Sequence, residues 1–265
     1  MLRRMHSRLL KLLLAAVAAA VVLPAAAPAS MITYIDGKNV WVASPDGQIK
    51  RQITTDGTND APYHVPSADD AGNVLAVAGG VTNAKMLVHV TPDGRRTVNV
   101  IPWKVGTLAN FGPYTMRMRP DGKLLAYKYV LNQGAYQPLV ERLSVAMVNS
   151  PAVPGVGTFD QAGSYWTPTW IDDKLVVAQG GVAKLEMEPG RFTQFLAVEA
   201  AGLEIAGAEV SRDKSRYLLD IDNTQNGQSG LLLYAHTGAF PGGEVTGGCQ
   251  VPAASSPEPT WGLSP

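Results

Sequence analysis

The sequence predicts an all-β propeller of four-stranded antiparallel blades, five of them or an incomplete six. Three observations lead there. A turn that runs straight into an apolar strand recurs at separations of 50, 52 and 40 residues. Segments that alternate polar and apolar residues follow after a second turn. The two ends of the chain read as complementary halves of one further unit.

RPDGKLLAYKY (119–129) is the clearest copy of the turn. Pro120 presets φ for the first central position, Asp121 can accept from nearby backbone N–H groups, and Gly122 supplies a positive φ. Leu124, Leu125, Ala126 and Tyr127 then read as a short buried strand. ADDAGNVLAVAG (68–79) places Gly72 where Gly122 sits. WIDDKLVVAQG (170–180) and VSRDKSRYLLDI (210–221) keep the aspartates Asp173 and Asp213, with Lys174 and Lys214 in the glycine place.

Each turn follows a segment just long enough for one strand: YHVP (63–66), YTMRM (114–118), TPTW (167–170) and AEV (208–210). Later turns, SPDG (44–47) and TPDG (91–94), lead into QIKRQIT (48–54) and RRTVNVI (95–101), which alternate like half-buried outer strands. Four antiparallel strands per 40–53 residues mark a propeller blade. The units fall at 60–110, 111–163, 164–201 and 202–256. The chain finishes PTWGLSP (259–265), a first strand with no second, and MITYIDGKNVWVASPDGQIKRQIT (31–54) is a unit with no first strand. Joined, they complete a fifth blade and leave no sheet edge open. Asp-Gly does not follow Pro265, so a sixth blade beyond it stays open.

Residues 1–29 have the layout of a secretory signal peptide: Arg3, Arg4, Arg8 and Lys11, then 12 apolar residues from Leu12 to Leu23, then Ala27-Pro28-Ala29 before Ser30. Twelve apolar residues are short for a bilayer span, and no cysteine near the cleavage region offers a lipid attachment point. Two segments result: a leader over 1–29 and a propeller domain over 30–265. Export to the periplasm or the medium is expected, with no membrane insertion after cleavage. Removing four of 22 basic residues leaves 18 against 22 acidic ones, a formal charge of −4, so nucleic acid is excluded as a partner class. The single Cys249 forms no intrachain disulfide.

The patterns NVWVASPDGQIKRQIT and RMRPDGKLLAYKY resemble the WD40-like repeats of TolB-like β-propellers. Val40-Trp41-Val42, Arg51-Gln52-Ile53-Thr54, Trp170 and Trp261 carry the likeness. The resemblance implies an exported propeller that binds proteins. It carries no catalytic residues, because the repeat motif is structural, and a functional step from the fold alone is analogy.

No G-x-S-x-G nucleophile elbow is present; GQSG (227–230) lacks the spacing. The mature chain has three histidines, His64, His89 and His236, none at metal-binding spacing from another. His64 falls on an innermost strand and can point into the channel, whereas His89 alternates with Val88 and Val90 and reads as solvent-facing. Asp220, Asp222, Asn223 and Asn226 fail the EF-hand pattern and read as a polar loop. Trp170 reads as an interblade residue, and Tyr165 and Trp166 as surface aromatics near the channel mouth.

The leading reading is a non-catalytic, monomeric scaffold that grips an extended segment of an envelope or extracellular protein. Its candidate contacts are Tyr114, Tyr165, Trp166 and the loop 131–138. No cofactor and no metal are expected. The rival is a propeller enzyme of lactonase, lyase or glycosidase type, for which the inner strands offer His64, Arg117 and Glu209. A third reading is a small-ligand or carbohydrate-binding module using Trp166.

Overall fold

The computed structural model describes residues 31–251, except 45, 80–84, 102–103, 106–107, 135–136, 150–158, 199–200, 212, 238–239 and 241–243. These residues form a five-bladed, all-β propeller. Blade 1 holds β1 (Ile32–Asp36), β2 (Asn39–Ala43) and β3 (Lys50–Gln52). Blade 2 holds β4 (Tyr63–Ala68), β5 (Val74–Ala78), β6 (Lys85–Val90) and β7 (Arg96–Ile101). Blade 3 holds β8 (Lys104–Val105), β9 (Leu108–Asn110), β10 (Thr115–Met118), β11 (Leu124–Asn132), β12 (Val140–Met147) and β13 (Phe159–Ala162). Blade 4 holds β14 (Thr169–Ile171), β15 (Lys174–Gln179), β16 (Val182–Glu188) and β17 (Arg191–Ala197). Blade 5 holds β18 (Leu203–Val210), β19 (Arg216–Asn223), β20 (Gln228–Thr237) and β21 (Glu244–Val251). No helix of the described residues is long and apolar enough to cross a membrane. The segment 1–29, expected to be a leader, and the terminal segment 259–265 lie outside the described residues.

The expected units match these blades, with one boundary moved. β8 and β9 belong to blade 3, not blade 2, because β11 is nine residues long and outruns β10. Its inner edge pairs with β10 over Leu125–Lys128 and with β9 over Leu131 and Asn132.

Second strands are apolar runs because both of their faces are covered. Along β5, Leu75 and Val77 join Met116, Met118, Leu125 and Tyr127 of blade 3. Val74, Ala76 and Ala78 join Val40 and Val42 of blade 1. Strand alternation does this sorting, since successive side chains point to opposite faces. The same division puts Leu175 and Val177 against blade 3 and Val176 and Ala178 against blade 5. Each buried Leu, Val or Met contributes about 1.5–3 kcal/mol, so these seams carry most of the cohesion. Outer strands have one wet face, as β17 shows.

The repeated turn ends the inner strand. In blade 3 the Gly122 N–H donates to Arg119 O at 2.8 Å, and the Lys123 N–H donates to the Asp121 carboxylate at 3.0 Å. Arg119 also grips Asp121 with two bonds, 2.9 and 2.7 Å long. In blade 5 the Lys214 N–H donates to Ser211 O at 2.8 Å, and Ser211 and Ser215 hold the Asp213 carboxyl down to about 2. Lys214 takes the glycine place with φ +62°. Blade 4 differs from expectation. There Ile171 pairs with Lys174 across a two-residue hairpin, so the left-handed residue is Asp172, not Lys174.

These turns and strand ends also fasten neighbouring blades from blade 1 through blade 5. The Tyr63 N–H donates to Lys38 O at 3.0 Å across blades 1 and 2. Between blades 2 and 3, the Asp70 N–H donates to Pro120 O at 2.9 Å and the Met118 N–H to the Ser67 hydroxyl at 2.8 Å. Between blades 3 and 4, the Trp170 indole N–H donates to Arg117 O at 2.9 Å. Between blades 4 and 5, Lys214 Nζ lies 2.6 Å from Asp172. Trp170 is thus an interblade residue, as its position in the sequence suggests.

Gly122 is needed twice over. Its φ is +70°, and a Cβ there would sit 2.2 Å from the Asp69 carboxylate of blade 2. Gly94 has a similar φ of +85° but open space around it. Gly94→Ala is expected to cost about 1 kcal/mol from backbone strain alone. Gly122→Ala is expected to cost roughly twice that or more, because Asp69 must also move. Urea unfolding of the two variants checks this; equal losses would contradict the interlock.

Candidate functional site

The channel has two unlike ends. At the turn end, an open groove of about 610 Å³ lies between Asp70, Arg119, Asp121, Asp172 and Asp173. Arg119 pairs with the Asp121 carboxylate and Lys214 with that of Asp172.

At the opposite end, where the inner strands start, aromatic rings meet lysines across the seams. Tyr114 immediately precedes β10, and Lys85 Nζ of blade 2 lies 5.5 Å from its ring centroid. Lys85 also donates to Phe111 O. Trp166 precedes β14, and Lys128 Nζ of blade 3 lies 5.3 Å from its ring centroid. Lys128 is 3.1 Å from Glu141, which accepts from the Ser164 hydroxyl at 2.8 Å. The Tyr114 N–H donates to Lys128 O at 2.9 Å, so one residue's backbone joins the two stacks. Both rings are nearly half exposed, Tyr114 at 46% and Trp166 at 47%. Lys85 is only 7% exposed, and burial lowers its ammonium pKa. Such ring–cation contacts contribute about 0.5–2 kcal/mol each, more when desolvated. They hold two exposed rings in fixed positions over three blades.

His64 lies on β4 at this same end, next to a bulge between His64 and Ser67 where Val65 takes φ +45°. Burial lowers the imidazole pKa, and the Lys85 charge lowers it further. His64 is therefore neutral at pH 7.

In the middle of the channel, Arg117 of blade 3 reaches Glu209 of blade 5 at 2.7 Å, past the three-residue inner strand of blade 4. Their side chains are 14% and 17% exposed. The guanidinium also donates to Met116 O at 3.1 Å.

Of the residues expected to act together, the structure therefore joins Arg117 to Glu209 and leaves His64 with Lys85. Trp166 is a surface aromatic as expected, and Tyr114, a candidate contact, is exposed as well. Tyr165 is not: it is 1% exposed and packs on Phe192, with ring centroids 6.1 Å apart. Adjacent side chains of an extended segment point opposite ways, so only one of Tyr165 and Trp166 can face outward. His89 is also not solvent-facing; its Nε2 is buried, and burial lowers its pKa. Asn223, Asn226 and their neighbours form the β19–β20 hairpin, with the Gly227 N–H donating to Asn223 O at 2.8 Å. Of the loop 131–138, residues 135 and 136 lie outside the described residues. Among the described residues, no three His, Cys, Asp or Glu side chains come together to hold a metal. Lys85 and Lys128 were not singled out from the sequence. Lys128 had a signal, since it interrupts an apolar run in a strand buried on both faces.

No family model matches the chain, and no curated protein matches it. Solved propellers do. An oligogalacturonate lyase in complex with manganese is similar with a TM-score of 0.52 at 12% identity, over 82% of this chain and 60% of that one. The oligogalacturonate lyase of Vibrio parahaemolyticus is similar with a TM-score of 0.48 at 13% identity, over 74% of this chain and 55% of that one. The propeller domain of the trilobed protease from Pyrococcus furiosus gives 0.44 at 14% identity, over 82% of this chain and 66% of that one. The chain thus spans 55–60% of the lyases' length. At 12% identity the first of these likenesses bears on the fold alone, and it agrees with the five-bladed propeller described above.

The lowered pKa of His64 has a consequence for stability. A group with a folded pKa below its ordinary 6.5 stabilises the fold fully above that value and loses the contribution as pH falls through the folded pKa. Wild-type stability is expected to fall on acidification below pH 6.5, and His64→Gln is expected to flatten that fall. Urea unfolding across the range and the imidazole proton resonance check it. A His64 resonance titrating at or above its ordinary value would contradict the assignment.

Proposed function

We propose that the protein is a non-catalytic binding propeller of the cell envelope or the extracellular space. On this reading it grips an extended segment of a partner protein at the strand-start end of the channel. The observation that carries it is the row Lys85, Tyr114, Lys128, Trp166, which spans blades 2, 3 and 4. Exposed aromatics held by buried neighbours are the kind of anchor that dominates protein interfaces. Held rigid, they lose little side-chain entropy on binding. The charged pair deeper in the channel supports the same reading, because Arg117 and Glu209 already neutralise each other.

A second reading is a propeller enzyme or carbohydrate-binding module. Its support is the neutral His64 beside Lys85, together with an exposed indole flanked by an ammonium, which also suits a sugar ring bearing a carboxylate. The solved lyases make oligogalacturonate the first probe.

The test immobilises residues 30–265 and passes over them an envelope and culture-supernatant extract of the producing cells. Tyr114→Ala/Trp166→Ala serves as control. A protein captured by the wild type and lost by the folded double variant is the expected result. No such protein, with turnover of oligogalacturonate in the presence or absence of manganese that His64→Gln abolishes, would replace the first reading with the second.

A further inference from the structure

One cation at the strand-start end has no counter-charge. Lys128 is paired with Glu141 at 3.1 Å, and Arg117, deeper in the channel, with Glu209 at 2.7 Å. Lys85 is 7% exposed, yet its ammonium meets only neutral groups, the Phe111 carbonyl and the Tyr114 ring. Among the described residues no carboxylate acts on it, and burial alone moves its titration. A buried charge is costly without a counter-ion, and neither a carbonyl nor a ring quadrupole cancels it. The join between blades 2 and 3 does not call for a charge there. Neutral groups already make that crossing, from the Asp70 N–H to Pro120 O and from the Met118 N–H to the Ser67 hydroxyl.

His64 stands on the same face as Lys85. It pairs with Val77, Val77 pairs with Leu87, and Lys85 lies two residues before Leu87 on β6. Side chains two apart on a strand share a face, and here that face is turned to blade 3, where Val77 and Leu87 pack. The Lys85 charge is felt at the imidazole, which is bonded to the Pro62 backbone, and no carboxylate acts on it either. Two basic groups thus face one seam, one of them against the exposed Tyr114 ring.

The aromatic row is therefore unequal. At Lys128 and Trp166 the charge is already neutralised by Glu141, and an exposed indole is left for an apolar residue. At Lys85 and Tyr114 the charge is open. Resting on the binding reading above, we propose that the partner's extended segment carries one acidic residue, aspartate or glutamate. Its carboxylate enters along the Tyr114 ring and docks on Lys85 Nζ, next to an apolar residue that rests on Trp166. The ligand then supplies the counter-charge that the fold withholds, through a charge-assisted hydrogen bond. A second acid at Lys128 would meet the Glu141 carboxylate and be repelled.

Two sets of short acetylated and amidated peptides test this. Each peptide has one tryptophan and, at every spacing from it, one glutamate in the first set and one glutamine in the second. Oligogalacturonate serves as a separate source of carboxylate, and calorimetry reads binding to residues 30–265. The tightest glutamate peptide should bind at least about tenfold better than its glutamine twin, and Lys85→Met should abolish that ratio. Lys85→Met should also melt no lower than the wild type, since methionine leaves no charge to bury. Equal binding of the twins, both lost in Tyr114→Ala/Trp166→Ala, would overturn the acidic anchor and leave the binding reading standing. A ratio that survives Lys85→Met would overturn it too. So would a fall of more than about 4 °C in that variant's thermal midpoint, which would make Lys85 a strap between blades. Binding of oligogalacturonate and of no peptide would overturn both readings and give Lys85 to a uronate sugar. Binding of no probe at all would also overturn both.

Discussion

The turn at the end of the inner strand in blades 2, 3 and 5 is the constraint on which the ring depends. Its aspartate bonds the local backbone, as Asp121 does to the Lys123 N–H. That fixes where the neighbouring side chains and carbonyls point. Pro120 then offers its carbonyl to Asp70, and Gly122 leaves room for Asp69. One short motif thus sets a strand's end and the spacing to the next blade. The apolar seams supply most of the free energy, but dispersion and hydrophobic burial are non-directional. The turns supply the direction.

A ring fixed in this way divides its channel into regions with different duties. The turn end is occupied by its own ion pairs. The middle is bridged by Arg117 and Glu209, whose partly buried charges satisfy one another rather than a ligand. The strand-start end is where exposed rings are left over, and there Lys85 and Lys128 of neighbouring blades hold Tyr114 and Trp166 upright. On the proposed reading, the binding surface arises where the fold has no further structural use for its aromatics.

Much of the fold was legible in the sequence because the motif is local. Gly72, Gly122 and Lys214 all take the positive φ their position requires. The exception, Asp172, arises because a two-residue hairpin moves the left-handed position two residues earlier than Lys174. The site was less legible because it depends on contacts between units. Inner-strand placement brought Arg117 and Glu209 into view, but nothing in either repeat says that they meet past blade 4. Position alone could not separate Tyr165 from Trp166. Gly163 decides it, since the Tyr165 ring occupies the space where a side chain at 163 would stand, 2.8 Å from its Cβ.

Amide hydrogen exchange tests the central claim, that the inner turns are locked by neighbouring blades. Gly122 and Gly94 occupy the same local turn, each N–H donating 2.8 Å to the carbonyl three residues back. The Gly122 turn also bonds the neighbouring blade backbone to backbone, at 2.9 Å from the Asp70 N–H to Pro120 O, whereas the Gly94 turn meets one only through an exposed 3.5 Å contact from the Arg51 guanidinium to Pro92 O. The account predicts that the Gly122 amide exchanges only with opening of the ring, at least about tenfold more slowly than that of Gly94. Equal exchange at the two glycines would contradict it, and would leave the turns as local punctuation in a ring held by its apolar seams alone.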